Sequence, residues 1–327
     1  MPYRLTQGES VDKGMRRIVT EELESAVSSL RNNDDSARDE GIHEARKSIK
    51  KLRAVVRLLM PGLGPAGTND NIALRDTGRA LSTLRDAAAL IETVEVLSNQ
   101  YFADPAMEQL AVVRSALRRR MEDTVRGEDC RTVTGGAMAS LKCLKKHPGK
   151  WQIAGGTFCA IAPGLENTYR LGRRRFKLAR KNPTPENLHS LRKRVKDHWY
   201  HVRLLEGAWR LMSNGHSSRD KELRDLQDWL GEHHNLTVLR DAITADPAAF
   251  GGKKIIPAVL ALISRAQDEL QQQSLVLAAR IYAGKPKLHM QEIGVAWDAW
   301  QGVGSVAVPV QAPLPAAGAA RHRGSAA

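Results

Sequence analysis

The chain has 327 residues, a formal net charge of +14, 42% hydrophobic residues and 26% charged residues. That balance supports a buried core and excludes a mainly disordered chain. No run approaches eighteen apolar residues, which argues against a membrane span, and no apolar stretch follows Met1-Pro2-Tyr3-Arg4, so a secretory signal is not expected.

Helical periodicity runs through nearly the whole sequence, and strand-like alternation between turn residues is hard to find. The predicted helices, in chain order, are 10–31, 38–60, 70–98, 105–126, 130–146, 164–181, 186–212, 217–243 and 255–282, with a further short helix carrying Trp297 and Trp300. Asp70, Ser217 and Thr184-Pro185 have the cap and early-proline chemistry of helix starts. Pro61-Gly62-Leu63-Gly64-Pro65, His147-Pro148-Gly149 and Ala162-Pro163-Gly164 are expected to break the chain. Beyond Gly302 a composition of Ala, Gly, Pro and Val predicts a disordered tail, 301–327. The expected fold class is all-α. Cys130, Cys143 and Cys159 are odd in number and have neither disulfide nor zinc spacing, so they read as buried thiols in a reducing cytosol. No metal or cofactor is expected.

The positive charge is concentrated. Residues 43–57 and 170–203 together hold eighteen Lys and Arg against three acids, whereas the other 278 residues hold 32 against 33. A solvated surface scatters its charges, so this concentration points to a polyanionic partner.

The two basic segments repeat one another. His43-Glu44-Ala45-Arg46-Lys47-Ser48-Ile49-Lys50, with Arg57-Leu58-Leu59 after it, answers His189-Ser190-Leu191-Arg192-Lys193-Arg194-Val195-Lys196, with Arg203-Leu204-Leu205 after it. A second block, Leu81 to Leu90 with Arg85-Asp86, answers Leu230 to Leu239 with His234-Asn235. Seven residues coincide in register in the first block. On a helix of about 100° per residue, His43, Arg46, Lys47, Lys50 and Arg57 share one face, with Ala45, Ile49, Leu52, Val56 and Leu59 opposite. His189, Arg192, Lys193, Lys196 and Arg203 do the same, joined by Tyr200. Like charges three and four residues apart repel, so a ligand that supplies negative charge is the natural explanation. Arg170, Arg173, Arg174 and Lys177, just before the second copy, have the same spacing, and Arg16-Arg17 is a weaker analogue before the first.

The His-x-x-Arg-Lys-x-x-Lys run in both halves, Tyr169-Arg170-x-Gly172-Arg173-Arg174, the Leu-Gly-x-x-His-Asn block at 230–235 and Trp297-x-x-Trp300 together resemble the CHAD domain, a conserved-histidine α-helical family, over roughly residues 3–300. The resemblance implies two pseudo-symmetric antiparallel four-helix bundles about a basic central cleft or pore. On that division, repeat 1 covers about 1–128, a connecting helix and linker about 129–163, and repeat 2 about 164–300. It also implies binding of inorganic polyphosphate and association with polyphosphate granules, hence a cytoplasmic location. The ligands it implies are His43, Arg46, Lys47, Lys50 and Arg57 in the first half, and His189, Arg192, Lys193, Lys196 and Arg203 with Arg170, Arg173 and Arg174 in the second. Arg53, Lys177 and Tyr200 complete the candidate set, and phosphate or sulfate is the expected stand-in in a crystal. The two halves depart from each other: Arg53-Ala54 stands against Trp199-Tyr200, and Leu81-Ser82 against Leu230-Gly231.

Two other functions compete with non-catalytic binding. A nucleic-acid protein suits the charge, yet no helix-turn-helix or finger pattern is present and a single Tyr on the basic face is a poor base-stacking surface. A polyphosphate-processing enzyme needs carboxylates to hold Mg²⁺. Against it, the Gly62 to Gly67 stretch has Thr68 where a phosphate-loop Lys would stand. The Glu-x-Glu-x-Lys signature of triphosphate-tunnel enzymes is also missing, since Ser25-Ala26 follows Glu22-Leu23-Glu24. His233 and His234, adjacent on a helix and without metal-spaced partners, read as packing or capping residues. No oligomeric state is implied.

Overall fold

The computed structural model of the protein describes residues 3–31, 35–84, 86–125, 129–153, 156–212 and 218–302. Among these residues the regular structure is entirely helical, as expected. The helices are α1 (Val11–Ser29), α2 (Asp35–Thr83), α3 (Asp86–Gln100), α4 (Met107–Val125), α5 (Asp129–Leu144), α6 (Ala162–Lys181), α7 (Pro185–Leu204), α8 (Glu206–Met212), α9 (Ser218–Ala245), α10 (Ile256–Ile281) and α11 (Pro286–Gln301). The predicted tail beyond residue 302, the helix start at Ser217 and the repeat residue Arg85 lie outside the described residues.

Local chemistry accounts for most boundaries. At the head of α7, the Thr184 hydroxyl accepts from the Asn187 N–H, with Pro185 in the first turn and Glu186 favourably placed at the positive end of the helix dipole. Arg180 and Lys181 occupy the last turn of α6, where cations suit the negative end. Gly302 closes α11 in the left-handed region.

The structure redraws four boundaries. The expected stop over 61–65 is a single non-helical residue, Gly64 (φ 54°, ψ −133°), and α2 continues beyond it to Thr83. Proline disfavours helical geometry in the residue before it. Gly64 therefore leaves the helical region and Pro65 begins the second segment, where its missing N–H costs nothing. The predicted 70–98 helix ends at Thr83 and resumes at Asp86, and the predicted 186–212 helix divides at Leu205. Ala162-Pro163-Gly164, read as a break, is instead the first turn of α6. Gly164 is there for want of space: a Cβ would lie 1.8 Å from the Leu58 carbonyl oxygen, so the head of α6 rests directly on the α2 backbone.

In the second half, α6 packs on α7, α7 on α9, α9 on α10, and α10 returns to α6. The first half is more open. There α1, α2 and α5 pack together, while the α3–α4 pair lies against α9 and α10 of the other half. The apolar core follows this arrangement and crosses the duplication. One cluster takes residues from α1, α2, α5, α6, α7, α8 and α11, together with one end each of α9 and α10. The other joins Val94, Leu110, Val113 and Leu117 to Leu236, Leu239, Ile243, Val259 and Ile263. The helix expected to be a connector, α5, thus contributes Ala137, Leu141 and Leu144 to the larger core. All three cysteines are free thiols, as expected, but not buried ones: Cys143 and Cys159 are exposed and Cys130 is half-buried. Among the described residues no helix is long and apolar enough to cross a membrane.

Candidate functional site

A cleft of about 780 Å³ opens where α2, α3, α7 and α9 meet. The segment of α2 before the break supplies His43, Arg46, Lys50, Arg53 and Arg57, and the segment after it Arg75 and Arg79. From α7 come His189, Arg192, Lys193, Arg194, Lys196 and Tyr200, and from α9 His234 and Asn235. Among the described residues the lining holds two carboxylates, Glu92 and Asp197, against ten Lys and Arg.

That imbalance marks the ionisation of the side chains. Burial, then Lys50 and Arg192, hold the Lys196 ammonium well below its ordinary value; its Nζ donates to Gln227 Oε1 at 2.8 Å and sits 5.9 Å from the Tyr200 ring centre. Burial and the neighbouring Arg57 bring Arg53 down to about 10. Burial also lowers Arg192, whose Nε has no hydrogen-bond partner among the described residues, and lowers Lys193 together with Arg194 and Arg53. Gly231 matters here because a Cβ would stand 3.3 Å from the Arg192 guanidinium, so the glycine lets that group lie against α9. The rings of His189 and His234 stack with centres 4.0 Å apart. Both are pushed down to about 4, His189 by burial and then His234, and His234 by burial and then Arg192. Burying cations this densely without acids costs several kcal/mol per ion, a cost that an anionic ligand offsets.

The floor of the cleft ties the two halves together. Asp197, 4% exposed, accepts from Arg57 of α2 at 2.5 Å and lies 3.3 Å from Arg194 of its own helix. One turn further on, buried His201 donates through Nε2 to the Ala54 carbonyl at 2.9 Å.

Of the candidates from the sequence, His43, Arg46, Lys50, Arg53, Arg57, His189, Arg192, Lys193, Lys196 and Tyr200 come together here. Six are not in the lining. Lys47 is exposed and paired with Glu44 at 3.1 Å. Arg203 stacks on Trp199 and Tyr3, its guanidinium 5.3 and 5.9 Å from their ring centres. Arg170, Arg173, Arg174 and Lys177 belong to α6, none of whose residues reaches the cleft; Arg170 donates to Asn167, and Arg173 to the Tyr282 carbonyl. The weaker pair has other tasks too: Arg16 donates to the Pro148 and Trp151 carbonyls, and Arg17 pairs with Glu9 at 2.8 Å.

Sequence reasoning missed Arg75, Arg79, Arg194 and His234 as lining residues. Arg75 and Arg79 do have one-face helical spacing. Only Arg79 lacks a counterpart, with Asp228 opposite it in the second copy; Arg75 has Arg224, within Leu74-Arg75-Asp76 and Leu223-Arg224-Asp225, just before the second matching block. His234, read as a packing residue, stacks on the very histidine that the repeat picked out, while its neighbour His233 is buried beside Gln267.

A profile of the CHAD domain matches residues 21–244, about two thirds of the chain. Among solved structures, the crystal structure of the CHAD domain from the plant Ricinus communis is similar, with 16% sequence identity and a TM-score of 0.47, covering 89% of this chain and 93% of that one. None of the curated proteins matches the sequence.

Proposed function

We propose, for a chain that belongs to the CHAD domain family, that the cleft between α2, α3, α7 and α9 binds inorganic polyphosphate without turning it over. The observation that carries this reading is the cleft lining: among the described residues ten Lys and Arg against two carboxylates, with several of the cations buried and their pKa values depressed. A flexible chain of repeated phosphates suits such a lining, since Arg forks grip two oxygens at a time and Lys supplies mobile point charge. No register is needed, so the mixture of residue types along two helices is no obstacle.

The reading takes the two halves as duplicated four-helix units in approximate two-fold relation, facing each other across the cleft and unequal in charge. Binding without catalysis is favoured by the carboxylates: Asp197 is engaged with Arg57 and Arg194, so among the described residues of the lining Glu92 has no second disengaged acid beside it to hold Mg²⁺ at a phosphate. Retention at polyphosphate granules in the cytoplasm would be the cellular consequence.

The test is a titration with polyphosphate of defined length over a salt series, with duplex DNA, single-stranded RNA and pyrophosphate as competitors. Affinity is expected to fall steeply as salt rises, because binding releases counterions, and polyphosphate is expected to outcompete both nucleic acids at equal phosphate. Displacement by DNA at equal phosphate would refute the ligand, and orthophosphate released with Mg²⁺ would refute the non-catalytic part.

A further inference from the structure

The outward face of α6 carries the charge that the cleft does not use. Arg170, Arg174, Lys177 and Lys181 fall within an arc of about 60° and span about 16 Å of helix. Tyr169, Gly172, Phe176 and Ala179 pack on the opposite side, so the stripe points to solvent, and all four cations are exposed. Arg174, Lys177 and Lys181 have no ion-pair partner among the described residues, and Arg170 holds only the Asn167 amide oxygen. The acid on this side of the helix is Glu166, one turn before the stripe begins.

The turn after α10 adds to the patch. Tyr169 donates to the Gly284 carbonyl at 3.3 Å and Arg173 to that of Tyr282 at 3.2 Å. This fastens to α6 the turn that leads into exposed Lys285 and Lys287. A helix selected for stability alone would interleave acids with these cations, since like charges at this spacing cost a few tenths of a kcal/mol each.

We propose that this face of α6 is a second docking surface for a phosphate polymer, separate from the cleft, so that one molecule holds two segments of polyphosphate and cross-links chains. The choice of polymer rests on the reading of the cleft given above; the existence of a second polyanion surface does not. The cleft, with several of its cations buried, takes one segment tightly. The α6 stripe, open and solvated, takes another loosely and with strong salt dependence, because exposed charges are screened within about 10 Å at 0.1 M salt. Two unequal sites on one body turn a binder into a linker.

The experiment combines calorimetric titration with a short polyphosphate and light scattering with a long one. The wild type is compared with the charge-reversed variant Arg174→Glu/Lys177→Glu/Lys181→Glu, its milder counterpart with Ala at the same three positions, and the cleft variant Arg46→Ala/Arg192→Ala. Wild-type protein is expected to bind two short chains of unequal affinity and to scatter strongly with long chains. Both α6 variants should retain the tighter site within about threefold, lose the weaker one, and scatter roughly tenfold less. Unchanged stoichiometry and scattering in both would overturn the second surface and leave the cleft reading standing. Loss of the tighter site as well, in variants whose melting temperature is unchanged, would overturn the claim that the surfaces are separate. Unaltered tight binding in the cleft variant would sink the cleft reading instead, with the α6 result standing on its own. Displacement of the weaker segment by duplex DNA at equal phosphate would overturn the choice of polymer.

Discussion

The two copies of the basic helix, the first segment of α2 and the whole of α7, start from the same motif and use it unequally. Lys193 lines the cleft, whereas its counterpart Lys47 is held outside by Glu44, where the second copy has Ser190. Arg57 reaches the cleft floor because α7 offers Asp197; Arg203 finds Lys51 at the equivalent place and stacks on Trp199 and Tyr3 instead. Lys51 itself turns away to Glu22 of α1 at 2.7 Å. A repeated cation therefore becomes a cleft residue or leaves the cleft according to where its nearest partner lies. Motif identity places it on the right helix face, and the few unmatched residues around it decide its direction.

This comparison can be broken most severely where the halves touch. Gly164→Ala puts a methyl group into the Leu58 carbonyl, and should cost roughly 3 kcal/mol or more in denaturant unfolding; a wild-type midpoint would show that α6 does not rest there. Asp197→Asn leaves Arg57 without its partner across the floor, and is expected to lose about 3 kcal/mol in the ligand-free protein. Added polyphosphate should restore part of that loss in a thermal melt, and no restoration would separate Arg57 from the ligand.

Lys196→Met sharpens the contrast between stability and binding. It removes a buried, depressed ammonium while keeping its volume, so the ligand-free protein should gain about 1 kcal/mol while polyphosphate affinity falls roughly tenfold. Equal signs in the two measurements would contradict the assigned cost of burying that ammonium.

The stacked pair His189–His234 gives a pH dependence. Both folded-state values, about 4, lie below the imidazole value of 6.5, so the unfolded chain takes up protons first as pH falls. The stability these two groups contribute is present above pH 6.5 and is lost progressively toward pH 4. Bound phosphate favours the charged rings, so affinity for a long chain should rise roughly fivefold from pH 7.5 to 5.5. His189→Phe should flatten that rise in a fluorescence titration, and a rise of the same size in the variant would acquit the pair. The smallest expected effect is that of Lys47→Ala, less than about twofold in affinity, since its ammonium is already exposed and paired with Glu44. A tenfold loss would return it to the cleft.

Much of this was legible in advance. Apolar spacing was enough for an all-helical chain, and the paired His-x-x-Arg-Lys-x-x-Lys runs were enough for two cationic faces, because a helix of fixed pitch turns spacing into direction. Arg79 escaped notice because Asp228 stands opposite it in the second copy, and Arg75 because it and its counterpart Arg224 precede the two matching blocks; Arg170, Arg174 and Lys177 looked like cleft residues because spacing says nothing about which neighbour covers a face. The halves also look alike in sequence at places where they differ in space. The α3–α4 pair packs on α9 and α10 of the other half, a choice made by apolar surfaces that no motif distinguishes.

By itself, then, the sequence determined helix content, the two basic faces and the identity of most cations in the cleft, all of which follow from local periodicity. Tertiary structure alone decided that both cores draw on both halves, that Asp197 clasps Arg57 across the duplication, that His234 meets His189, and that α6 looks outward. Local pitch dictates where a side chain points from its own helix, but what it meets there depends on packing between segments far apart in the chain.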